Sequence, residues 1–244
     1  MFLLILLGSL VGLLSGFFGI GGGTILVPML LLLGYNTKVA IGISVVVMVF
    51  SSIYGSYVNN KKGTLDVVMV MTIGLGGFIG AMFSGVITAY ASEKVLEFIF
   101  LLFSVFALLR MFFSPSEHLQ ERENTNRIIL FAVGFAIGIV SMTIGVGGSL
   151  ILVPILVGFF HIPLKRATSA GLFFVTFSSV SGLISHSIEG GVDYTSGTVI
   201  GLASLGGVYL GIHLKDKVST KTQKLLLTLF YLSIVCYIGF RLVA

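Results

Sequence analysis

The chain has 244 residues, a formal net charge of +5 and a mean hydropathy of +1.12, and only 9% of its residues are charged. Soluble domains carry about 25% charged residues, so this composition excludes a soluble protein and predicts an integral membrane protein. The basic residues lie in gaps between apolar stretches, which is how membrane topology is signalled, and this placement argues against a nucleic-acid partner. Cys236 is the only cysteine, which excludes a disulfide framework and a cysteine-rich metal site.

Eight apolar segments succeed one another along the chain, each near or above the roughly 20 residues that a spanning helix needs. They lie at residues 2–33, 39–58, 67–90, 95–113, 127–160, 167–186, 194–213 and 224–243. The first and fifth segments are too long for one straight span. Residues 114–126 form the clearly polar stretch and predict a linker between a first membrane repeat, residues 1–113, and a second, residues 127–244.

Each overlong segment contains a glycine-rich phrase that is followed by an apolar run and a proline. Residues 19–28 read Gly-Ile-Gly-Gly-Gly-Thr-Ile-Leu-Val-Pro, and residues 145–154 read Gly-Val-Gly-Gly-Ser-Leu-Ile-Leu-Val-Pro. Glycine destabilises a helix by about 1 kcal/mol relative to alanine, so both phrases predict a helix break. Because lipid cannot satisfy the freed backbone groups, paired breaks at matching places in two halves point to a transporter's binding site.

The two halves are copies of one structural unit. An offset of 126 residues aligns the glycine phrases, and an offset of 127 aligns most of the residues after them in each half. The pairs at the second offset include Lys38 with Lys165, Ser51 with Ser178, Asp66 with Asp193, and Gly80 with Gly207. Because this register holds across most of each half, we expect one fold unit to occur twice.

The number of crossings in each half decides whether the two units are parallel or inverted. Four crossings per half divide the 14 Lys and Arg residues eight to six between the two sides of the membrane. If each overlong segment instead turns at its glycines and leaves on the side it entered, three true crossings remain per half and the division becomes eleven to three. The positive-inside rule favours the second arrangement.

The predicted fold is therefore an all-α polytopic membrane protein of two inverted repeats. Each repeat has one glycine-broken, re-entrant helix and three transmembrane helices. Both termini lie outside, the linker at 114–126 is cytoplasmic, and the two glycine tips meet near the midplane of the membrane.

These two phrases, one in each duplicated apolar half, give the sequence a resemblance to the sulfite exporter TauE/SafE family over essentially the whole chain. The resemblance implies a transporter of the bacterial cytoplasmic membrane that handles sulfite, sulfonates or related sulfur compounds, with export as the direction. The sequence has no nucleotide-binding motif, so we expect the gradient of an ion or of the anion itself to drive transport. Movement of the two halves around a shared site is the expected mechanism.

The two glycine tips are the candidate substrate site. A helix that begins after a glycine turn presents unpaired N–H groups and the positive end of its dipole, and glycine lets an anion approach them. Hydroxyl groups either cap these helices, bond to their own backbone or face the ligand. The candidate substrate-binding residues are Gly21, Gly22, Gly23, Thr24, Ser51, Gly147, Gly148, Ser149 and Ser178. Close packing of small residues is the alternative role for the glycines.

Three more polar residues are candidates for coupling or for lining the path. Asn59 and His186 lie near the ends of their segments, where a place at the membrane interface is the alternative, and His186 is suited to couple protons because it titrates near neutral pH. Arg166 either attracts anions or orients its helix by snorkelling. Glu97 follows two charged residues, so we expect it at the interface rather than buried.

The sequence contains no nucleophile–base grouping, metal-ligand cluster or cofactor fingerprint, so neither catalysis nor a cofactor or metal is expected. No segment has a carboxylate near its centre, which argues against a cation carrier. The expected partners are a small anion and membrane lipid. An anion-selective channel and a membrane-embedded scaffold for a partner protein remain the alternatives. A scaffold gains nothing from broken helices.

Overall fold

The computed structural model describes residues 2–62, 67–113 and 127–243, and the regular structure in these ranges is helical throughout. The helices are α1 (Phe2–Phe18), α2 (Gly23–Leu32), α3 (Thr37–Lys61), α4 (Val67–Ala81), α5 (Ser84–Tyr90), α6 (Glu93–Phe113), α7 (Arg127–Thr143), α8 (Ser149–Gly158), α9 (Leu164–Ile188), α10 (Tyr194–Lys217) and α11 (Thr220–Val243). The predicted linker at 114–126 lies outside the described residues.

Five stretches within these ranges are long and apolar enough to cross a membrane. They are Thr37–Lys61, Val68–Tyr90, Leu164–Ile188, Tyr194–Lys217 and Thr220–Leu242. The prediction of an all-α, multi-pass membrane protein is confirmed.

Both overlong segments are broken at their glycine phrases. The first breaks between Phe18 and Gly23, and the second between Thr143 and Ser149. Five residues of the two breaks have positive φ angles: Gly19, Gly21, Gly145, Gly147 and Gly148. Glycine adopts this left-handed backbone without steric cost. The predicted helix breaks are confirmed, and each leaves a short helix, α2 or α8, behind its tip.

The two halves contain the same succession of helices. Shifting the bounds of α3 by 127 residues gives those of α9, and the stretch from α4 to α5 shifts onto α10 in the same way. The start of α6 likewise shifts by 127 residues onto that of α11, whereas the bounds of α2 shift by 126 onto those of α8, and α1 corresponds to α7.

The halves interlock rather than standing side by side. In the described part of the chain α3 packs on α9 at the centre, α1 packs along α10, and α7 packs along α4. The backbones at the outer seams are so close that a methyl group on Gly12 would lie 2.1 Å from the carbonyl oxygen of Ser204, and one on Gly80 would lie 2.1 Å from that of Phe135. Small residues allow this approach between membrane helices.

The order of contacts along neighbouring helices gives their relative direction. The contacts of α3 and α10 advance together, Gly197 against Val46 and Gly201 against Phe50, so these two helices run parallel. Residues 189–193 join the end of α9 to the start of α10, and Ser169 near the start of α9 contacts Lys215 near the end of α10, so these two helices run antiparallel. Consequently α3 runs antiparallel to α9, its counterpart in the other half.

One end of the bundle, which we name the Lys215 end, is basic. Lys62 forms an ion pair with Asp216 there, and the Nζ of Lys215 donates to the hydroxyl oxygen of Ser169 at 3.0 Å. Ser169 in turn donates to the carbonyl oxygen of Lys165 at 3.0 Å. The end of α3, the start of α9 and the end of α10 therefore lie together.

The opposite end, the Arg241 end, holds a buried carboxylate. Arg241 pairs with Glu97, and Lys38 donates to the carbonyl oxygen of Ala89 at 2.7 Å. Glu97 is only 7% exposed, so the expectation that it would not be buried is wrong. The physical reason is the partner on α11, which neutralises the carboxylate and lets it leave water.

Candidate functional site

The two glycine tips contact each other at the centre of the molecule. Thr24 Oγ1 donates to the carbonyl oxygen of Val146 at 3.1 Å. A methyl group on Gly23 would lie 2.2 Å from the carbonyl oxygen of Gly145. Residues 19–24 and 145–149 are all buried. The structure thus brings the two halves of the candidate site together, and it does so in a conformation closed to solvent.

The backbone donors of both tips are unpaired. The N–H groups of residues 21–24 and 147–150 have no hydrogen-bond acceptor within the described ranges, whereas Leu26 and Leu152 bond back to the carbonyl oxygens of Gly22 and Gly148 at 2.9 Å. A buried N–H without a partner costs about 1–3 kcal/mol. Unpaired donors at two helix N-termini that lie in contact are suited to a group with several acceptor oxygens.

The hydroxyl groups of Thr24 and Ser149 do not cap their helices. The N-cap positions of α2 and α8 are held by Gly22 and Gly148, and Thr24 bridges the tips instead. Ser149 Oγ is buried and has no partner among the described residues. It lies 3.7 Å from the place that a methyl group on Gly21 would occupy. Ser149 therefore presents a free hydroxyl to the opposite tip.

Ser51 and Ser178 lie beside the tips of their own halves. Ser178 Oγ donates to its own helix at Phe174 at 3.2 Å and approaches the carbonyl oxygen of Gly147 at 3.3 Å. Ser51 Oγ approaches only its own helix and lies 3.6 Å from the position of a methyl group on Gly22. Both serines thus approach the backbone of their own helices, which was one of the roles expected for these hydroxyls. Both also lie next to the tip glycines.

Two apolar side chains that the sequence analysis missed flank the tips. A methyl group on Gly147 would lie 2.6 Å from the sulfur of Met48 and 3.1 Å from Cγ1 of Val175. Met48 and Val175 are related by the 127-residue offset, and each precedes its serine, Ser51 or Ser178, by three residues. A single apolar residue in an apolar helix does not indicate a binding site. The spacing of three residues before a candidate serine, which occurs in both halves, would have indicated this pair.

The candidates for coupling or path are not gathered in one place. Asn59 and His186 are equivalent residues of the two halves, and both are buried within the protein near the ends of their helices. His186 Nε2 lies 3.2 Å from the carbonyl oxygen of Met142, just before the second break. Arg166 is half-buried in the first turn of α9, at the opposite end of that helix from His186.

The donor set at the tips is built from amides and hydroxyls. In the ranges that the structure describes, no three His, Cys, Asp or Glu side chains lie close enough together to hold a metal ion. The arrangement is therefore suited to binding through hydrogen bonds and helix dipoles.

A family model described as "Sulfite exporter TauE/SafE" matches residues 4–238. The chain belongs to the sulfite exporter TauE/SafE family. It is 27% identical to the probable membrane transporter protein MJ0441 of Methanocaldococcus jannaschii over 93% of this chain and 90% of that one. It is 24% identical to the probable membrane transporter protein YunE of Bacillus subtilis over 96% and 95%.

A probable membrane transporter protein of Haemophilus influenzae is 28% identical over 77% of this chain and 74% of its own length. No solved structure matches the chain. The family and its relatives, together with the five spanning stretches, make the TauE/SafE chain a multi-pass membrane protein of a transporter family.

Proposed function

We propose that this TauE/SafE protein is a secondary transporter that exports a small anion, sulfite or an organic sulfonate, across the bacterial cytoplasmic membrane. The observation that carries the proposal is the convergence of two sets of unpaired amide donors on one buried centre. Each helix N-terminus acts as about half a positive charge, so two tips suit a mono- or dianion. Compact oxyanions offer the several acceptor oxygens that such donors require.

The inverted arrangement of the halves is part of the proposal. The antiparallel course of α3 and α9 supports it, because equivalent helices of parallel repeats run in the same direction. Its second support is the contact of Lys62 with Asp216, next to Lys215, since four crossings per half would put Lys62 on the opposite side of the membrane. By the positive-inside rule the Lys215 end is cytoplasmic, which places both termini outside.

A carrier fits the closed tips better than a channel does. The tip amides are buried from both sides, so an anion reaches them only after part of the molecule moves. The two sequence halves do not move as whole units, because α1 is locked to α10 and α4 to α7 by backbone contacts. The moving units each combine helices of both halves, with α1, α3 and α10 in one and α4, α7 and α9 in the other.

Asn59, His186 and Arg166 have secondary roles in this proposal. Asn59 and Arg166 line the approach from the Lys215 end, and His186 lines the approach to the second break, where its contact with Met142 holds it. Histidine is the side chain whose ordinary pKa lies nearest to neutral pH, which makes His186 the candidate for proton coupling. A His186→Gln variant that transports the anion but no longer acidifies or alkalinises the vesicle lumen would support this role.

Counterflow in liposomes tests the proposed function. Protein reconstituted into liposomes that contain unlabelled sulfite should accumulate radiolabelled sulfite transiently above its outside concentration, because a carrier exchanges one anion for another. A channel only equilibrates the label. Organic sulfonates should compete, and Na⁺, K⁺ and amines should neither compete nor be transported. Transport of a cation that none of these anions disturbs would contradict the proposal.

A further inference from the structure

Lys215 is a buried lysine that the site at the tips does not include. Its side chain, near the end of α10, is 1% exposed. Nζ donates to Ser169 Oγ at 3.0 Å, and among the described residues no second acceptor takes a hydrogen bond from it. The neighbouring carboxylate, Asp216, pairs with Lys62. An ammonium group carries three N–H donors, so two of those of Lys215 remain available.

A buried ammonium with one neutral partner is energetically unfavourable, because burial removes its hydration and only paired charges recover that loss. The nearby charges add to the cost. Lys62 and Lys165 repel the ammonium of Lys215, and of the described residues Asp216 attracts it. Ionisable residues within membrane segments generally mark a substrate or ion pathway. Among the described side chains, no carboxylate is paired with Lys215. A negative partner would therefore have to come from a bound ligand.

The position of Lys215 connects it to the first tip. Its partner Ser169 follows Thr168, and a methyl group on Gly19 would lie 2.2 Å from the carbonyl oxygen of Thr168. One turn before Lys215, a methyl group on Gly211 would lie 2.7 Å from the backbone nitrogen of Phe17. The ammonium thus lies against the elements that border the break between α1 and α2, on the side of the Lys215 end.

The equivalent place in the other half carries no charge. The 127-residue offset relates Lys215 to Thr88. Thr88 Oγ1 approaches the carbonyl oxygens of Thr143 and Ser84 at 2.8 and 2.9 Å, so this hydroxyl is fully engaged within the protein. The equivalent places in the two halves therefore differ. One holds a buried cation with free donors, and the other holds a neutral hydroxyl whose hydrogen bond is made within the protein.

We propose that Lys215 and Ser169 form an anion-binding site between the Lys215 end and the first tip, which takes up a compact oxyanion before the tip amides do. This site rests on the proposed function and adds to it a difference between the two faces. The anion binds more tightly when it arrives from the Lys215 end than from the Arg241 end. A protein with the Lys215 end in the cytoplasm therefore captures its substrate at low internal concentration, as an exporter requires.

The test is the Michaelis constant for radiolabelled sulfite, measured from each face in inside-out and right-side-out vesicles. Lys215→Met should raise the constant at the Lys215 face by about tenfold, as loss of one charge-assisted hydrogen bond implies, and leave the other face nearly unchanged. Lys215→Arg should retain most of the affinity. Lys217→Met removes an exposed charge at the end of the same helix and should change neither constant.

The outcomes separate the site from the transport function. Wild-type protein that moves no sulfite or sulfonate contradicts the proposed function itself. Wild-type transport with Lys215→Met unchanged, or altered equally at both faces, overturns the site and leaves the function standing. Lys215→Gln, which keeps a donor for Ser169, guards against misfolding of the methionine variant. If neither neutral variant yields folded protein, Lys215 is a folding residue and the proposal fails.

Discussion

Arg241 of the last helix donates from Nε to Oε1 of Glu97 at 3.0 Å, and the same carboxylate oxygen accepts a hydrogen bond from the Thr37 hydroxyl at 2.7 Å. A second guanidinium nitrogen of Arg241 reaches the carbonyl oxygen of Leu31 at 3.3 Å. One side chain of α11 thereby joins α6, the start of α3 and the end of the short helix α2. This contact fixes the C-terminal end of α2, the short helix that follows the first tip.

Removal of the arginine should destabilise the fold. Arg241→Met leaves the Glu97 carboxylate, whose side chain is 8% exposed, without its positive partner. Arg241 is itself about one-third exposed, so we expect a loss of about 2 kcal/mol, below the 3–5 kcal/mol of fully buried pairs. The thermal unfolding temperature in detergent measures the loss. Arg127→Met, at an exposed position, is the control, and equal unfolding temperatures for the two variants would contradict a stabilising ion pair.

The sequence predicts the helices and their breaks well, because both depend on local chemistry. An apolar run of about 20 residues is long enough to span, and closely spaced glycines such as those at residues 19–23 destabilise a helix locally. The burial of Glu97 follows instead from Arg241, which lies 144 residues away. No pattern around Glu97 reveals a partner at that distance, so its burial could not be predicted from the sequence.

The two tip hydroxyls should respond in opposite ways to removal. Ser149 Oγ is buried without a partner among the described residues, so Ser149→Ala removes an unsatisfied group and should leave the unfolding temperature equal or higher. If this hydroxyl donates to the anion, the same variant should raise the Michaelis constant for sulfite several-fold. Unchanged transport kinetics would show that Ser149 does not face the substrate.

Thr24→Val is the matched variant at the opposite tip. It keeps the shape of the side chain but loses the bond to Val146 that joins the tips, which should cost about 1 kcal/mol of stability. Both transport and the unfolding temperature should therefore fall for Thr24→Val, whereas only transport falls for Ser149→Ala. The two assays together distinguish a hydroxyl that holds the tips from one that binds the ligand.

The glycines of the tips should differ in their tolerance of a methyl group. Gly22 has φ of −62°, and an added methyl would lie 3.2 Å from Val11, so Gly22→Ala should fold while a small shift of the amide donors reduces transport several-fold. Gly148 has φ of +84°, and its methyl would lie 2.4 Å from the ring of Phe174. The left-handed backbone alone costs a side chain about 1–2 kcal/mol, so Gly148→Ala should lose folded protein.

Gly206→Ala is the control for both tip variants, because nothing lies within 4 Å of a methyl group at that helical position. Its yield of monodisperse protein and its transport per folded molecule should match the wild type. Normal transport by Gly22→Ala would show that the donors of the first tip need no fixed position, which is contrary to the proposed site.

The membrane orientation is tested by labelling single cysteines with an impermeant thiol reagent in intact cells. The background is Cys236→Ser, since Cys236 is exposed. Cysteines at the exposed residues Lys61 and Lys217 should resist the reagent, and cysteines at the exposed residues Lys94 and Gly191 should react. Protection at Gly191 with labelling at Lys217 would reverse the orientation. Protection at Lys61 with labelling at Lys217 would exclude inverted repeats.

The components of the site were only partly visible in the sequence, for physical reasons. The backbone N–H donors could be predicted because each glycine phrase indicates the N-terminus of a helix. Lys215 could not, because a lysine near a helix end normally snorkels to water. It is buried where its ammonium contacts Ser169 of α9, a residue far away in the sequence. The offset that relates Lys215 to Thr88 shows that a charge replaces a hydroxyl, but it does not show that the charge is buried.

Met48 should determine how large a substrate the tips accept. Its sulfur lies 2.6 Å from the positions that methyl groups on Gly23 and Gly147 would occupy, so it fills the space between the two sets of donors. Met48→Ala should enlarge that space and raise the transport of an organic sulfonate relative to sulfite, measured by competition in liposomes. The lost packing should also cost about 2–5 kcal/mol of stability.

Met111→Ala separates selectivity from stability in this prediction. Met111 is as fully buried as Met48, so its truncation should cost a similar amount of stability, but it is not among the nearest neighbours of any tip glycine. The ratio of sulfonate to sulfite transport should stay at the wild-type value in that variant. An equal change of this ratio in both variants would show that general loosening of the fold, and not the side chain between the tips, sets the substrate size.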